Sequence, residues 1–574
     1  MVKIEQESNY IIAKEKADKI DEEIIETLKE GQSFRVEAGA GSGKTYSLNK
    51  VIEWIQNNKR NYYSRNKQHV VCITFTNAAV EVIMQRIPKD SFIIPSTIHS
   101  FAWSAIKQYQ STLIRFIEED KSLWAENGDS SDIGEVAYDL GHRYKENGVQ
   151  YLYHSDVLNL FAKLLDNAKF RRVFSDKYPL ILIDEYQDTY KPIIDRFIRY
   201  FVAEKKGPQF GFFGDSWQTI YQSNNACGMI EHPNLKVLKK GSNFRSAPKI
   251  VELLNKIRPE LPQQSAIDDF EGMVQVVTSE DYKGARRVER NFKDDLPVEE
   301  LRRRVECIKE NLKEQTANEE VKVLMITHKV LAAQQGYERL LEIIAESLRE
   351  KEDALLMFFM NTVEPIYKAL SNSDMQLLFD TLGVKKYPIT KKSEKKKWHT
   401  LRKNLEISRK KRGIDVLKVI VESGLVPLAP SIEILYEKYK ADPGSSYGNA
   451  NIKEILDLDY NQFLAAILFL YPESEFSTDH GVKGEEYDNV IVVISKGWNQ
   501  YQFDVYVPMM NKPIPVDKEA AFIKNRNLFY VCCSRPKKRL VIFISIPVKE
   551  DFETALVNLF GRENVCTYAE YIQA

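Results

Sequence analysis

The sequence lacks the features of secreted, membrane-spanning and metal-binding proteins. No stretch approaches the uninterrupted apolar length that spans a bilayer, and the first ten residues lack the apolar core of a signal peptide. The six cysteines show no C-x-x-C spacing and no paired histidine, which argues against zinc, an iron–sulfur cluster or a disulfide framework. We therefore expect a cytoplasmic chain without a membrane partner, in which Cys72, Cys532 and Cys533 pack in the core.

A net charge is also nearly absent. The chain has 81 lysines and arginines against 82 aspartates and glutamates, so a polyanion would have to meet a local basic patch. Residues 385–412 form such a patch, with thirteen basic and two acidic residues. A solvated loop and a surface that contacts duplex DNA are both compatible with this composition. A chain of 574 residues is too long to fold around a single hydrophobic core, so its length predicts about three to five domains.

What the sequence does contain is a phosphate-binding loop. Residues 33–38 predict a buried strand, the glycines that follow predict a bend, and Lys44 and Thr45 open a helix. Such a bend turns backbone N–H groups toward an anion, and the helix N-terminus adds partial positive charge. We expect Lys44 to reach the β- and γ-phosphates of ATP and the Thr45 hydroxyl to hold Mg²⁺. The predicted nucleotide-binding residues are Ala38, Gly39, Ala40, Gly41, Ser42, Gly43, Lys44, Thr45 and Tyr46.

Two carboxylates follow a later buried strand. In residues 178–190, YPLILIDEYQDTY, the apolar run ends directly at Asp184 and Glu185. Parallel strands place their carboxyl ends at one edge of a sheet, so both carboxylates should lie beside the phosphate loop. There Asp184 can hold Mg²⁺ through water, and Glu185 can orient or deprotonate the water that attacks the γ-phosphorus.

The chain resembles superfamily 1 helicases of the UvrD/Rep type. Eight stretches resemble the motifs of that family in the family's order, which is far more specific than one phosphate loop. They are GAGSGKT (39–45), TFTN (74–77), TIHSF (97–101), DEYQDT (184–189), GDSWQTIY (214–221), SNFRS (242–246), TDHGVKGEEYDNVIVV (478–493) and NLFYVCCSR (527–535).

The resemblance implies an α/β fold with two RecA-like P-loop NTPase domains, each with a parallel sheet and a mainly helical insertion. ATP would bind between the two domains. The implied first domain comprises residues 1–101 and 174–267 around a helical insertion at 102–173. The implied second domain comprises residues 268–335 and 472–574 around a helical insertion at 336–471.

The resemblance also implies roles for residues outside the phosphate loop. Gln187 and Gln218 would lie near the γ-phosphate, and Arg245 and Arg535 would reach it from the second domain. Glu486 would contribute to nucleotide binding from the second domain. Residues matching the family's single-strand path are Phe75, Thr76, Asn77, His99, Ser100, Phe101, Tyr221, Thr478 and His480.

The chain departs from the family pattern at several positions. No glutamine occurs between Tyr10 and Gly31, where the family places its adenine-reading residue, so adenine specificity is left open. The aromatic-arginine pair expected after the third motif is Ser223-Asn224. Ala78 and Asn527 replace a common lysine and a common arginine. These changes indicate that the chain binds DNA more weakly than its family does, or that a partner contributes to DNA binding.

Two functions are compatible with these residues. The first is an ATP-driven helicase that moves 3′ to 5′ on single-stranded or tailed duplex DNA, in repair or in antiviral defence. The second is a DNA-activated ATPase subunit that senses DNA ends or nucleotide state and regulates an effector. In its compact length and its missing aromatic residue, the chain resembles the helicase-like subunit of Gabija antiviral systems. That subunit pairs with an OLD-type (Toprim) nuclease. The 39 residues after Arg535 show no nuclease carboxylate cluster, so we expect no DNA cleavage by this chain alone.

Overall fold

Two parallel six-stranded sheets form the framework of the protein. The computed structural model describes residues 8–74, 76–88, 91–124, 133–138, 143–219, 225–289, 292–317, 319–325, 328–350, 353–383, 392–471, 474–478, 484–496, 501–510 and 512–573. Strands alternate with helices in both sheet-containing parts. The predicted α/β class with two RecA-like domains is confirmed.

The first half of the chain contributes the first sheet, its helices and an insertion. Most of its central strands are buried along their whole length, as expected for parallel strands covered on both faces. In chain order, the elements are α1 (Asn9–Lys29), β1 (Phe34–Ala38), α2 (Lys44–Arg65), β2 (Val70–Thr74), α3 (Asn77–Met84), β3 (Ile93–Thr97), α4 (Ile98–Ile106), α5 (Gln110–Glu119), β4 (Glu135–Tyr138), β5 (Tyr144–Glu146), β6 (Val149–Leu152), α6 (His154–Leu165), α7 (Ala168–Lys177), β7 (Leu180–Asp184), α8 (Lys191–Phe197), β8 (Gln209–Gly214), β9 (Lys236–Lys240), β10 (Ser242–Asn243), α9 (Pro248–Ile257) and β11 (Gln264–Ser265).

The strand order of the first sheet brings the loops that carry the predicted site residues to one edge. Its strands run in parallel in the order β3-β2-β7-β8-β1-β9. The carboxyl ends of β1, β7 and β8 therefore meet, and they carry the phosphate loop, the Asp184 carboxylate and the segment after Gly214. Helices α1, α2 and α3 cover one face of this sheet, and α4, α6, α7 and α8 cover the other.

The first insertion is not helical throughout. It contains a small sheet in which β4 lies parallel, and β5 antiparallel, to β6. The turn between β5 and β6 is formed by Asn147 and Gly148, with φ angles of 50° and 78°. Both residue types tolerate this left-handed conformation, which two-residue hairpin turns require. The Asn-Gly pair was therefore a signal for a hairpin within a segment whose aromatic content favoured helices.

The second half of the chain repeats the arrangement with a larger insertion. In chain order, the elements are β12 (Met273–Thr278), α10 (Val298–Gln315), β13 (Val321–Met325), α11 (His328–Gln335), α12 (Glu338–Glu350), α13 (Ala354–Phe358), α14 (Glu364–Asn372), α15 (Met375–Leu382), α16 (Lys392–Ser408), α17 (Gly413–Ser423), α18 (Pro430–Ala441), β14 (Ser446–Tyr447), β15 (Ala450–Asn451), α19 (Ile452–Leu456), α20 (Tyr460–Leu470), β16 (Phe476–Thr478), β17 (Tyr487–Ile494), α21 (Phe503–Tyr506), α22 (Glu519–Cys533), β18 (Pro536–Ile544), α23 (Glu550–Phe560), β19 (Val565–Thr567) and α24 (Tyr568–Gln573).

The second sheet is also parallel, in the order β16-β13-β17-β18-β12-β19. Helices α22 and α23 pack on one face, and α10 and α24 pack on the other. The elements from α12 to α20 form a separate hydrophobic core, to which the buried Trp398 of the basic segment belongs. Strands β13 and β16, which precede and follow this insertion, are neighbours, and Val323 pairs with Phe476.

Helix α9 packs with the second domain. The sequence boundary at residue 267 assigns this helix to the first domain, but Ile250, Leu253 and Leu254 share a core with Val276 and Ile542 of the second sheet. The amide N–H of Ala247, which precedes α9, donates to the carbonyl of Lys537 at 2.8 Å. The apolar stripe of α9 therefore packs on the second sheet, in a core that also contains Ala40 and Trp217 of the first domain.

The cysteines lie as core packing predicts. Cys72, Cys532 and Cys533 are fully buried, and all six thiols are free. Within the part of the chain that the structure describes, no helix is both long enough and apolar enough to cross a membrane.

Replacement of Phe161 by alanine should destabilise the first domain. The Phe161 ring is fully buried and lies about 6 Å from the rings of Phe101 and Phe174, at centroid distances of 6.0 and 5.9 Å. Its loss should lower the free energy of unfolding by about 3–5 kcal/mol in urea titrations followed by circular dichroism. The control Val173→Ala, at a position 44% exposed, should change it little. Equal effects of both variants would contradict this assignment of the core.

Candidate nucleotide and DNA site

The phosphate loop is a tight turn that packs against a segment from beyond the first sheet. Gly41 and Gly43 have φ angles of 73° and 75°, a conformation that L side chains rarely adopt. A Cβ atom at Gly41 would lie 2.6 Å from Asn243 Oδ1 and 2.8 Å from Arg245 Cβ. The loop is therefore held by both its own backbone conformation and the motif that contains Arg245.

Lys44, at the start of α2, lies beside the acidic end of β7. Its Nζ atom is 2.7 Å from Glu185 Oε1. Burial acts to lower the pKa of Lys44, but the charges of Glu185 and Asp184 outweigh it and raise the pKa. Burial and the neighbouring Glu185 charge raise the pKa of Asp184 to about 6. The structure thus brings three of the predicted catalytic side chains, Lys44, Asp184 and Glu185, together at one sheet edge.

The Glu185 backbone is in the left-handed region, with φ 49°. This conformation ends β7 abruptly, and the Glu185 N–H donates to Asp184 Oδ1 at 3.0 Å. Gln187 follows in the same turn, and its Nε2 atom donates to Glu185 Oε2 at 2.6 Å. The two carboxylates and the glutamine therefore share one turn with a fixed geometry.

Two arginines of the predicted second-domain set lie at the boundary between the domains. Arg535 is 1% exposed, and its Nη2 atom donates to Gln218 Oε1 at 3.2 Å. Burial and the nearby Arg245 lower the pKa of Arg535 to about 10, which leaves the guanidinium charged at neutral pH. Arg245 donates to Glu486 Oε2 at 2.8 Å and to the carbonyl of Ser534 at 3.0 Å. Ser534, whose hydroxyl accepts from Arg535 Nη2 at 3.0 Å, thus links the Gln218–Arg535 contact to the Arg245–Glu486 pair across the boundary.

The remaining phosphate-loop residues differ in exposure. Ala38 and Ala40 are buried, and the N–H of Ala40 donates to the hydroxyl of Tyr530 at 3.1 Å. Ser42 is 1% exposed, and its hydroxyl has no hydrogen-bond partner among the described residues. Thr45 is exposed on the first turn of α2, and the neighbouring Tyr46 is 60% exposed.

The donor set fits a nucleotide with a divalent cation. The buried Ser42 hydroxyl and the N-terminus of α2 can donate to phosphate oxygens. The Thr45 hydroxyl and the Asp184 carboxylate are oxygen ligands of the kind that Mg²⁺ prefers. The same side chains do not offer the nitrogen and sulfur set that selects zinc.

The predicted DNA-contacting residues are only partly described. Thr76 and Asn77 are exposed at the start of α3, and Ser100 is exposed on the first turn of α4. His99 is part-buried against His154, and burial with the charge of that partner lowers its pKa to about 4. His99 is therefore neutral at pH 7. Phe75, Tyr221 and His480 lie outside the described residues, and Thr478 ends strand β16.

A cavity of about 200 Å³ connects this region with the acidic end of β7. Thr74, His99, Asp184, Asp188, Thr189 and Asn225 contribute to its lining. The cavity therefore places one predicted DNA contact, His99, and one predicted magnesium ligand on the same concave surface.

Phe101 is a correction to the predicted DNA path. Its side chain is 2% exposed, and its ring centroid lies 5.2 Å from that of Tyr178 and 6.0 Å from that of Phe161. Residues 97–101 match the family motif, but Phe101 falls on the side of α4 that faces the core. A ring in this position cannot stack on a base.

Asn527 provides a contact of its own where the family commonly has arginine. Its Nδ2 atom donates to the carbonyl of Thr219 at 3.3 Å, which joins α22 to the segment after β8. An arginine is present one residue earlier, and the Arg526 guanidinium lies 3.7 Å from the ring centroid of Trp217. The side chain of Ala78, and the segment with Ser223 and Asn224, lie outside the description.

The sequence reasoning missed several residues at the same site. Phe244, 37% exposed, lies 3.9 Å from the Cβ position of Gly43, and its ring is 6.3 Å from that of Tyr10. Glu37, Asp215 and Arg258 form a buried ion-pair group beside the loop. A glutamate within the otherwise buried strand β1 was the available signal, because a buried charge requires a partner.

Several known proteins are similar in sequence to this chain. Residues 21–224 match the family model described as an AAA domain. Gabija protein GajB of Bacillus cereus strain HuB5-5 is 25% identical, over 94% of this chain and 96% of that protein. GajB of strain VD045 is 22% identical, over 94% and 98%. The ATP-dependent DNA helicase Rep of Escherichia coli K12 is 26% identical, over 38% of this chain and 40% of Rep. The chain therefore resembles GajB proteins and UvrD/Rep-like helicases, and it is a helicase-type ATPase.

Proposed function

We propose that this protein is a DNA translocase that hydrolyses ATP between its two domains and moves 3′ to 5′ on single-stranded DNA. The observation that carries the proposal is the contact of Arg535 with Gln218 at 3.2 Å. It joins a second-domain guanidinium to the sheet edge that carries Lys44, Asp184 and Glu185. A phosphate loop, paired carboxylates and an arginine supplied across a cleft are the parts that phosphoryl transfer needs.

Each side chain has a role in this chemistry. Lys44 and Arg535 stabilise the charge on the transferring phosphoryl group, which is the main contribution a protein makes to such a reaction. Glu185 orients or deprotonates the attacking water, and Gln187 holds Glu185 in place through its 2.6 Å hydrogen bond. Magnesium held by Thr45, and through water by Asp184, would neutralise charge on the phosphates.

Closure of the domains would couple hydrolysis to movement along DNA. Arg535 completes the site, and Arg245 keeps its contacts with Glu486 and Ser534, only when the second domain lies against the first, so turnover requires closure. Thr76, Asn77, His99 and Ser100 lie along the same edge of the first sheet as the phosphate loop. Because His99 is neutral, it would hydrogen-bond to a phosphate without adding charge.

A second function is favoured by the extent of the similarity to GajB. That similarity covers 94% of this chain, against 38% for Rep. A DNA-activated ATPase subunit that regulates a Toprim nuclease in antiphage defence would have the same nucleotide site. It would differ from a helicase in leaving a tailed duplex closed.

Glu185→Gln should abolish turnover without loss of the fold. Removal of a general base lowers rates by about 10²–10⁴-fold, while the amide keeps the size of the side chain. We expect normal ATP binding and a turnover loss in this range in a coupled assay with single-stranded DNA. The control Glu118→Gln makes the same change at an exposed position of α5. Normal turnover in Glu185→Gln would refute its assignment as the base.

Arg535→Ala should separate nucleotide binding from hydrolysis. A guanidinium that stabilises the transferring phosphoryl group contributes about 10³–10⁵-fold in rate in related reactions. We expect a loss of this order with nearly unchanged affinity for a fluorescent ATP analogue. Arg562→Ala, which removes an arginine 71% exposed, is the matched control. An unchanged rate in Arg535→Ala would show that hydrolysis does not use the cleft.

The two proposed functions predict different results on tailed DNA. For a helicase, single-stranded DNA should stimulate hydrolysis, and a 3′-tailed duplex should open faster than a 5′-tailed one. For a regulatory subunit, DNA should stimulate hydrolysis while both duplexes stay closed. Steady-state ATPase and strand-separation assays on the same sample decide between them, with Glu185→Gln as the inactive control. Opening from a 5′ tail alone would contradict the proposed polarity.

A further inference from the structure

Arg258 is a buried guanidinium between two buried carboxylates. It follows helix α9, and its side chain is 3% exposed. Its Nη2 atom donates to Glu37 Oε1 at 2.6 Å, and its Nη1 atom donates to Asp215 Oδ1 at 2.6 Å. Arg35 is a second cation beside Glu37, at 3.7 Å. Arg258 is therefore the cation that Glu37 and Asp215 share.

Both carboxylates lie next to predicted nucleotide-site residues. Glu37 directly precedes Ala38 in β1, and its Oε1 atom also accepts from the N–H of Ser216 at 3.0 Å. Asp215 Oδ1 accepts from the N–H of Trp217 at 3.1 Å. The pair thus connects the strand that leads into the phosphate loop with the turn that carries Gln218.

Asp215 determines which way the Gln218 amide faces. Gln218 Nε2 donates to Asp215 Oδ2 at 2.7 Å, so its Oε1 atom is the one that accepts from Arg535. A carboxylate accepts and does not donate hydrogen bonds, so the opposite orientation would place two acceptors against each other. The orientation of Gln218 therefore depends on a fixed Asp215 carboxylate.

The backbone that carries Arg258 belongs to a helix that packs with the second domain. Ile250, Leu254 and Ile257 of α9 share the core of the second sheet. The guanidinium nevertheless reaches into the first domain, where it also lies 5.1 Å from the ring centroid of Trp217. A displacement of the second domain would therefore act on Asp215 through the Arg258 side chain.

The geometry points to Arg258 as a positioning residue that couples the placement of the second domain to the orientation of Gln218 during ATP hydrolysis. This inference rests on the proposed function of the nucleotide site. Arg258 does not contact the reacting atoms in this scheme. It acts on hydrolysis through Asp215 and Gln218, and it holds β1 in the same network through Glu37.

Arginine suits this position better than lysine. The planar guanidinium presents separate donors to two carboxylates at once, whereas an ammonium acts as a point charge. Arg258→Lys should therefore keep the charge while losing one of the two contacts. We expect it to have an intermediate effect on turnover.

The test uses a charge-balanced variant, because Arg258→Met alone would leave two buried carboxylates without their shared cation. In Arg258→Met/Glu37→Gln, one positive and one negative charge are removed together. Arg304→Met is the matched control, since Arg304 is 4% exposed and paired with Asp281 and Glu300 but lies away from Gln218. Thermal unfolding of the full-length variants establishes that each is folded.

The measurements are ATP turnover with single-stranded DNA and the affinities for ADP and for ADP with aluminium fluoride. A displaced catalytic group can cost about 10²-fold in rate. We expect the Arg258 variant to lose turnover on this scale at nearly unchanged KM. It should also lose affinity for the aluminium fluoride complex while keeping that for ADP. The Arg304 variant should show neither change.

A double-mutant cycle with Gln218→Ala tests the route of the coupling. If Arg258 acts through Gln218, adding the Arg258/Glu37 change to Gln218→Ala should cause little further loss. Fully additive losses, or a variant that loses ADP and its aluminium fluoride complex equally, would overturn the inference. Absence of turnover in the unaltered protein would contradict the proposed function instead. In that case, the preference for the aluminium fluoride complex over ADP alone would still test the role of Arg258. Lack of this preference in the unaltered protein would overturn that role.

Discussion

The pairing of buried charges is the constraint on which the nucleotide site depends. Strand β1 carries Arg35 and Glu37 in its interior, and the turn after β8 carries Asp215, all with almost no exposure to water. A buried charge without a partner is costly, so these side chains can lie here only in the arrangement that satisfies them. Arg258 and the hydroxyl of Tyr186, which donates to Glu37 at 2.8 Å, complete that arrangement. The architecture of the loop is therefore set electrostatically as well as by packing.

The boundary between the domains combines an apolar core, which Ala40 and Trp217 share with the second domain, and directional hydrogen bonds. Tyr530, Asn527 and Arg535 all lie on or just after α22, and each forms a hydrogen bond with a group in the first domain. Directional bonds of this kind fix an orientation more strictly than apolar contacts do, because they weaken steeply with angle. They also exchange readily for water when the groups separate. A boundary of this composition suits two bodies that must meet in one geometry and part again.

The sequence predicted those parts of the site that depend on local geometry. The phosphate loop and the carboxylates after β7 are short patterns whose function follows from neighbouring residues, and Lys44 and Glu185 lie 2.7 Å apart. Phe101 could not be assigned in this way, because its burial depends on the phase of α4 against a core built from later helices. Arg258 could not be assigned because its two partners are distant in the sequence. Helix α9 could not be assigned to a domain from the sequence, because its apolar stripe could pack in either of two cores.

The neighbouring positions of β13 and β16 determine how freely the insertion between them can vary. The long insertion leaves the second sheet from one strand and returns in the neighbouring one, and it has a hydrophobic core of its own. The hydrogen-bond ladder of the sheet is therefore independent of what lies between the two strands. An insertion between these two strands can therefore be lengthened, shortened or replaced while both sheets stay intact. Diversification of partners and substrates then needs no redesign of the nucleotide site.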